Sequence, residues 1–287
     1  MSIQTKVCHT SKEAMKFLEN LALSHQDFIF RGQQNPGDKL STTLHRLIGS
    51  HSDEQVKDLL RRFEIALAKI GIFPFEKAGR LDWLEYARHC GVPLPVIDFT
   101  YSPYVALFFA FNGIGDCSAL REGPDGYVSV LALNTRSLAQ GWAKAAGHDF
   151  SEADYLRFKT AQENQFDNGF TPGILQTIPF PGKKNRRMMR QMGLLLYDTL
   201  DYASLGFDDM ESFIEAIDEG APENGAENAT LIKVQIHKQC APSIFERLEL
   251  MNITGSQLFL DEHGAAMDVI NSYHYESRIQ FRDLDNR

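Results

Sequence analysis

Cysteine is scarce in this chain. Four residues (Cys8, Cys90, Cys117 and Cys240) lie far apart and form no Cys-x-x-Cys. A disulfide scaffold is thereby excluded, and a cytoplasmic protein with reduced thiols is expected. Long apolar runs are absent as well. The longest, Tyr104–Phe111, falls far short of the roughly 20 residues that a membrane helix requires. The start, MSIQTKVCHTSKE, has no apolar stretch of the kind a secretory signal carries. The motifs of several common chemistries are missing too: there is no HExxH, no GxSxG and no GxxxxGK[ST]. Gly113-Ile-Gly115 opens like a dinucleotide fingerprint but lacks the third glycine. His237 and Cys240 have no second Cys/His pair nearby, so no metal site is expected.

What is present is an ordinary globular composition. The 287 residues are 43% hydrophobic and 23% charged, with a net charge of −9, enough chain to bury a real core. The charge is uneven. No Lys or Arg occurs between Arg190 and Lys233, whereas ten acidic residues do. Directly upstream, Lys183, Lys184, Arg186, Arg187 and Arg190 crowd into GKKNRRMMRQ. Such a cluster either binds phosphates or forms a solvated face paired with the acidic segment.

Hydrophobic periodicity and capping signals give a coarse map of the elements. Thr10 to Glu13 reads as a capping box opening a helix that ends before Ser24. Phe28–Gly32 reads as a short strand. A helix follows Ser52, with apolar residues at 56, 59, 60, 63, 67 and 70. Another carries Trp83, Leu84 and Ala87 and stops at Gly91. Strands are expected at Val96–Thr100, Tyr127–Asn134, Leu194–Asp198 and Ala229–Ile236. Helices are expected over Tyr104–Phe111 behind Pro103, over Ser151–Asn164, over an exposed acidic stretch Asp208–Glu219, and from Pro242 to about Met251 as the last substantial one. The interleaving lacks a steady βα rhythm, so the class is α+β, with a mixed or antiparallel central sheet flanked by helices. Residues 164–185 and 220–228 read as loops or insertions inside a single domain spanning 1–287.

Three segments place polar groups where apolar ones belong. Arg31 sits inside the strand Phe28-Ile-Phe-Arg-Gly32, and a buried guanidinium without a partner costs several kcal/mol, on the order of what unfolds a domain. It must therefore meet a carboxylate of the fold or a bound anion. Gly32 lets a ligand or a backbone come close. Asp98, Thr100 and Ser102 alternate along the next segment and share one face of an extended chain. They either orient a polar ligand with Arg31, or Asp98 is only a counter-ion and Ser102 only a helix cap. Arg187 and Gln191 follow at four-residue spacing in the basic cluster.

FIFRGQ, HCGVPLPVIDFTYSPYVALFFA, NRRMMRQMGLLLY and NITGSQLFLDEHGAA resemble, in order over residues 28–270, the blocks of the FRG domain family, named for its Phe-Arg-Gly. The pattern departs at Cys90, Leu94-Pro95 and Phe99, where the family has Tyr, Thr-Arg and Trp. A weaker resemblance links the Arg-Gly strand, the Thr/Ser strand and the helix after it to ADP-ribosyltransferase toxins of the Arg–Ser–Glu type. That resemblance implies NAD as substrate, with Arg31, Ser102 and Glu262 in catalytic roles. Gly32, His89, Asp98, Phe99, Thr100, Tyr101 and Gln191 would then line the nucleotide site, and Lys183, Lys184, Arg186, Arg187 and Arg190 would meet an anion. Asp98 and Asp261 rival Glu262 as the acid. The expected function is an NAD-dependent ADP-ribosyltransferase or NAD glycohydrolase, a toxin or defence effector with a protein or nucleic-acid acceptor. The alternatives are a non-catalytic nucleotide or nucleic-acid binding module, or a nuclease built on His89, Asp98 and Glu262.

Overall fold

The computed structural model describes residues 3–24, 27–113, 126–145, 149, 151, 176–179, 186–198, 202–217 and 229–285. Cys117, Lys183, Lys184, all but the first residue of the helix expected over Ser151–Asn164, and the loop expected at 220–228 lie outside them.

Seven strands form one mixed sheet in the order β1-β7-β4-β2-β3-β6-β5. They are β1 (Ile3–Cys8), β2 (Phe28–Gln33), β3 (Val96–Thr100), β4 (Tyr127–Asn134), β5 (Gln176–Pro179), β6 (Gly193–Tyr197) and β7 (Leu231–His237). β1 runs parallel to β7, and every other pair is antiparallel. The helices are α1 (Ser11–Ser24), α2 (Thr43–Ile48), α3 (Asp53–Lys69), α4 (Arg80–His89), α5 (Pro103–Phe111), α6 (Thr135–Ala145), α7 (Arg186–Arg190), α8 (Met210–Ile217), α9 (Ala241–Leu250), α10 (Gly255–Phe259) and α11 (Glu262–Asp285). The α+β expectation is met.

Alternation along the strands builds the core. Phe28 and Phe30 of β2, Val128, Val130 and Ala132 of β4, and Ile232, Val234 and Ile236 of β7 pack with α1, α5 and α9. The opposite face puts Ile29, Leu131, Leu133, Phe99 and Leu196 against Leu138 of α6 and Met210, Phe213 and Ile214 of α8. A third cluster joins Val96, Leu195 and Tyr197 to Leu44, Val56, Leu60, Leu84 and Ala87 of α2, α3 and α4. Each cluster uses every second strand residue, as the pleat requires.

One pairing is unusual and positions the site. β2 pairs with β4 at six consecutive positions, but with β3 only at Phe30–Thr100. The sheet therefore opens between β2 and β3 just where Arg31 begins. Over this opening α5 lies very close to β2. A Cβ on Gly32 would overlap the carbonyl oxygen of Ala106 and sit 2.5 Å from the amide nitrogen of Ala110. Gly32 is thus required by the helix backbone, the second of its two sequence readings.

Several expectations are corrected. Residues 176–179, inside the expected loop 164–185, form the edge strand β5. The described part of the acidic stretch expected over Asp208–Glu219, residues 208–217, is not an exposed helix: α8 buries Met210, Phe213, Ile214 and Glu211. Glu211 accepts from Lys233 Nζ at 2.6 Å and from the amide of Leu40 at 3.0 Å, so the acid is held inside by a cation and a backbone donor. The helix from Pro242 is not the last substantial one, because the 24-residue α11 follows it. β1, α2, α6 and α10 carry too short or too mixed a pattern to stand out in sequence. The stop of α4 at Gly91 is met: Gly91 has φ +87°, the left-handed geometry that glycine adopts without strain.

Candidate functional site: a guanidinium-rich cleft

A cleft of about 1320 Å³ opens at the gap between β2 and β3. Four arginines line it from four elements or their ends: Arg31 on β2, Arg46 on α2, Arg88 on α4 and Arg187 on α7. In a chain of net charge −9, this concentration of cations is the site's dominant feature.

Arg31 occupies the opening itself. Its Nη1 donates to the carbonyl oxygen of Asp98 at 2.7 Å and stands 3.9 Å from the Asp98 carboxylate. The guanidinium thus serves a β3 carbonyl that a continuous ladder would have paired with backbone. Arg88 Nη2 donates to Asp98 Oδ2 at 2.5 Å. Two guanidinia share one carboxylate. Burial alone pushes the Asp98 carboxyl up, but Arg88 and Arg31 outweigh it and hold the group below the usual carboxylate range. Burial also weighs against the charge of Arg31, which Asp98 only partly offsets. Arg46 donates to the Ser41 carbonyl oxygen at 2.6 Å.

The fourth arginine has no such partner among the described residues. Arg187 lies with its guanidinium carbon 4.1 Å from the centroid of the Phe259 ring on α10, a cation–π contact. Its Nε is buried and unpartnered. Met188 beside it is buried against Gly193, and Gln191 donates from Nε2 to the carbonyl of Leu258 at 3.2 Å. The wall carrying Arg187 is therefore tied to the helix carrying Phe259. His89, the last residue of α4, lines the same cleft with Nε2 buried and unpartnered.

Three carboxylates of the cleft, Asp38, Asp98 and Asp209, are engaged. Asp38 accepts from Asn35 Nδ2 at 3.0 Å. Asp209 accepts from the amide and hydroxyl of Ser212 at 2.8 and 2.9 Å and lies 3.5 Å from Lys39. Among the described residues, the acidic segment pairs with Lys39 and Lys233 through Asp209 and Glu211.

The structure brings together Arg31, Gly32, His89, Asp98, Phe99, Thr100, Arg187 and Gln191 of the residues singled out from sequence. It redirects others. The Ser102 hydroxyl accepts from the Val105 amide at 3.3 Å as the N-cap of α5, and the residue does not line the cleft. Thr100 spends its hydroxyl too, donating to the Gln191 carbonyl at 2.7 Å and accepting from the Ser102 amide at 3.0 Å. Phe99 packs mainly into the core on the far face. Tyr101 is 43% exposed and lies outside the lining. Glu262 is an exposed residue at the start of α11 and Asp261 accepts from the Gly264 amide at 2.8 Å; neither lines the cleft. Arg186 and Arg190 are exposed on α7. Sequence reasoning missed Arg46 and Arg88. Arg88 stood in the quoted HCGVP block's approach, one residue before His89, and a basic residue at the end of a helix facing an apolar strand was the available signal.

Burial keeps His89 neutral to lower pH than the ordinary 6.5, with Arg187 and Arg88 adding to that and Asp98 opposing it. The unfolded chain then takes up this proton more readily than the folded one. The stability linked to neutral His89 is complete above about pH 6.5 and is lost as pH falls toward the lowered folded value. Melting temperatures measured from about pH 7.5 down to about 5.5 should fall less steeply for His89→Gln than for the parent protein. Identical slopes would contradict this assignment.

Residues 26–116 match the model of the FRG domain family. The chain contains an FRG domain. The matched segment runs from the strand of Arg31 through Arg88, His89 and Asp98 to the end of α5, so three of the four cleft arginines belong to it; Arg187 and Phe259 come from outside. No curated protein and no solved structure matches the chain.

Proposed function

We propose that the FRG domain protein binds NAD in this cleft and cleaves its nicotinamide–ribose bond, as an ADP-ribosyltransferase or NAD glycohydrolase serving as a cytoplasmic toxin or defence effector. The observation that carries the reading is the guanidinium of Arg31, set in the gap of the sheet beside Arg88 with one carboxylate between them. A planar fork with spare donors suits a pyrophosphate. The Arg-Gly strand, the Thr strand and the Ser-capped helix that flank it are the features similar to Arg–Ser–Glu type ADP-ribosyltransferases.

The chemistry follows from charge. As the bond between C1′ of the ribose and the nicotinamide nitrogen breaks, its electron pair leaves with nicotinamide and positive charge builds on the sugar. Fixed negative charge beside the ribose lowers that barrier. Asp98 faces the cleft with 39% of its side chain exposed, and it takes over the role first expected of Glu262. The acceptor, water or a nucleophilic group of a protein or nucleic acid, then adds at C1′ and gives up its proton.

A second reading, a nucleotide-binding module without turnover, is favoured by one observation: Asp38, Asp98 and Asp209 are all engaged by neighbouring donors. Incubation with NAD, with released nicotinamide read by chromatography and binding read by calorimetry, separates the two. Nicotinamide release is expected. Binding without release selects the second reading, and the absence of both overturns each.

A further inference from the structure

We infer that Arg187 and His89 form a second anion subsite, which takes a phosphate monoester set apart from the paired phosphates at Arg31 and Arg88. The inference rests on the reading of the cleft as a site for a phosphorylated nucleotide and adds the number and kind of its phosphates. Two residues that line the cleft, Arg187 near the start of α7 and His89 at the end of α4, each keep a buried nitrogen, Nε and Nε2, without a hydrogen-bond partner among the described residues. A buried donor left unsatisfied costs about 1–3 kcal/mol, so two in one wall mark a place completed by a ligand.

The charge balance gives the ligand's class. Asp98 is the carboxylate shared by Arg31 and Arg88, and no carboxylate comes within 4 Å of Arg46 or Arg187 among the described residues. Asp261 acts on Arg187 only at longer range, and its Oδ1 is taken by the Gly264 amide. The cleft is lined by five cations, the four arginines and Lys39, and by four carboxylates, Asp38, Asp98, Asp208 and Asp209, and it leaves Arg187 without a carboxylate of its own. A pyrophosphate held by Arg31 and Arg88 leaves the guanidinium of Arg187, stacked on Phe259, for a further anionic group. A monoester dianion fits a guanidinium and a neutral imidazole together, because it accepts from both at once. The wall is also preorganised: Phe259 supports the guanidinium, and Gln191 ties α7 to α10. A nucleotide with a phosphate on its ribose, such as NADP, has the required chemistry.

Two measurements test the subsite. In the first, the His89 ring resonances are followed by NMR while inorganic phosphate is added at constant ionic strength, against chloride as control. A saturable shift is expected in the parent protein, with its loss in Arg187→Gln and partial retention in Arg187→Lys. Melting curves confirm that both variants are folded. In the second, calorimetry compares NADP with NAD; about a tenfold preference for NADP is expected, the scale of one added charge-assisted contact, and Arg187→Gln should erase that preference. No phosphate-dependent shift, a shift that survives Arg187→Gln, or equal affinity for the two dinucleotides overturns the subsite. If neither dinucleotide binds, the proposal of NAD cleavage falls, and the phosphate titration alone decides this one.

Discussion

Arg31→Met is expected to abolish nicotinamide release and to weaken NAD binding at least about 100-fold, because truncating one partner of a buried charge pair costs roughly 2–5 kcal/mol. The variant should still fold. Methionine fills much of the same volume in an apolar strand, and Asp98 keeps Arg88 as its partner at 2.5 Å. The structural penalty is confined to the Asp98 carbonyl oxygen, which loses its donor. That amounts to about 1–3 kcal/mol, a lower melting point rather than an unfolded chain. Circular dichroism and calorimetry on the same sample separate the two effects. Native-like melting with undiminished turnover would show that Arg31 is merely an internal brace.

Gly32→Ala acts on the fold instead. Its Cβ would run into the Ala106 carbonyl and the Ala110 amide, backbone atoms that no rotamer change can move. α5 must lift from β2, breaking its packing with Phe28, Phe30 and Val130. The cost should reach about 3 kcal/mol or more, the upper end for overpacking, with soluble expression lost or the urea midpoint sharply lowered. An alanine variant as stable as the parent would mean that α5 does not sit where the structure places it.

The two neighbours in Arg31-Gly32 thus divide their tasks. One faces the cleft, and the other lets a helix cover the sheet beside it. Their adjacency was visible in the sequence as a cation and a glycine inside an apolar strand, but which ligand or backbone each one met was not.

Much of the fold was legible because it is local. Periodicity marked β2, β3, β4, β6, β7, α3 and α5, and Ser102 before Pro103 announced the cap of α5 that the structure shows. The elements that escaped notice are short or amphipathic by mixed chemistry. β5 has four residues, α10 has five, and α2 has six. α8 hid its buried Glu211 behind an acidic composition, because its partners, Lys233 and the Leu40 amide, lie far away in the chain.

The amino-acid sequence by itself determined the α+β class, the strands that carry Arg31 and Asp98, and the capped helix behind them, since these follow from side-chain spacing and backbone preference over a few residues. The tertiary structure alone decided that β2 and β3 part after one pairing, that Thr100 donates its hydroxyl to the Gln191 carbonyl, and that Arg187 stacks on Phe259. Those contacts join residues tens of positions apart, Arg31 to Asp98 across 67 of them. Their energy depends on geometry that no local pattern encodes.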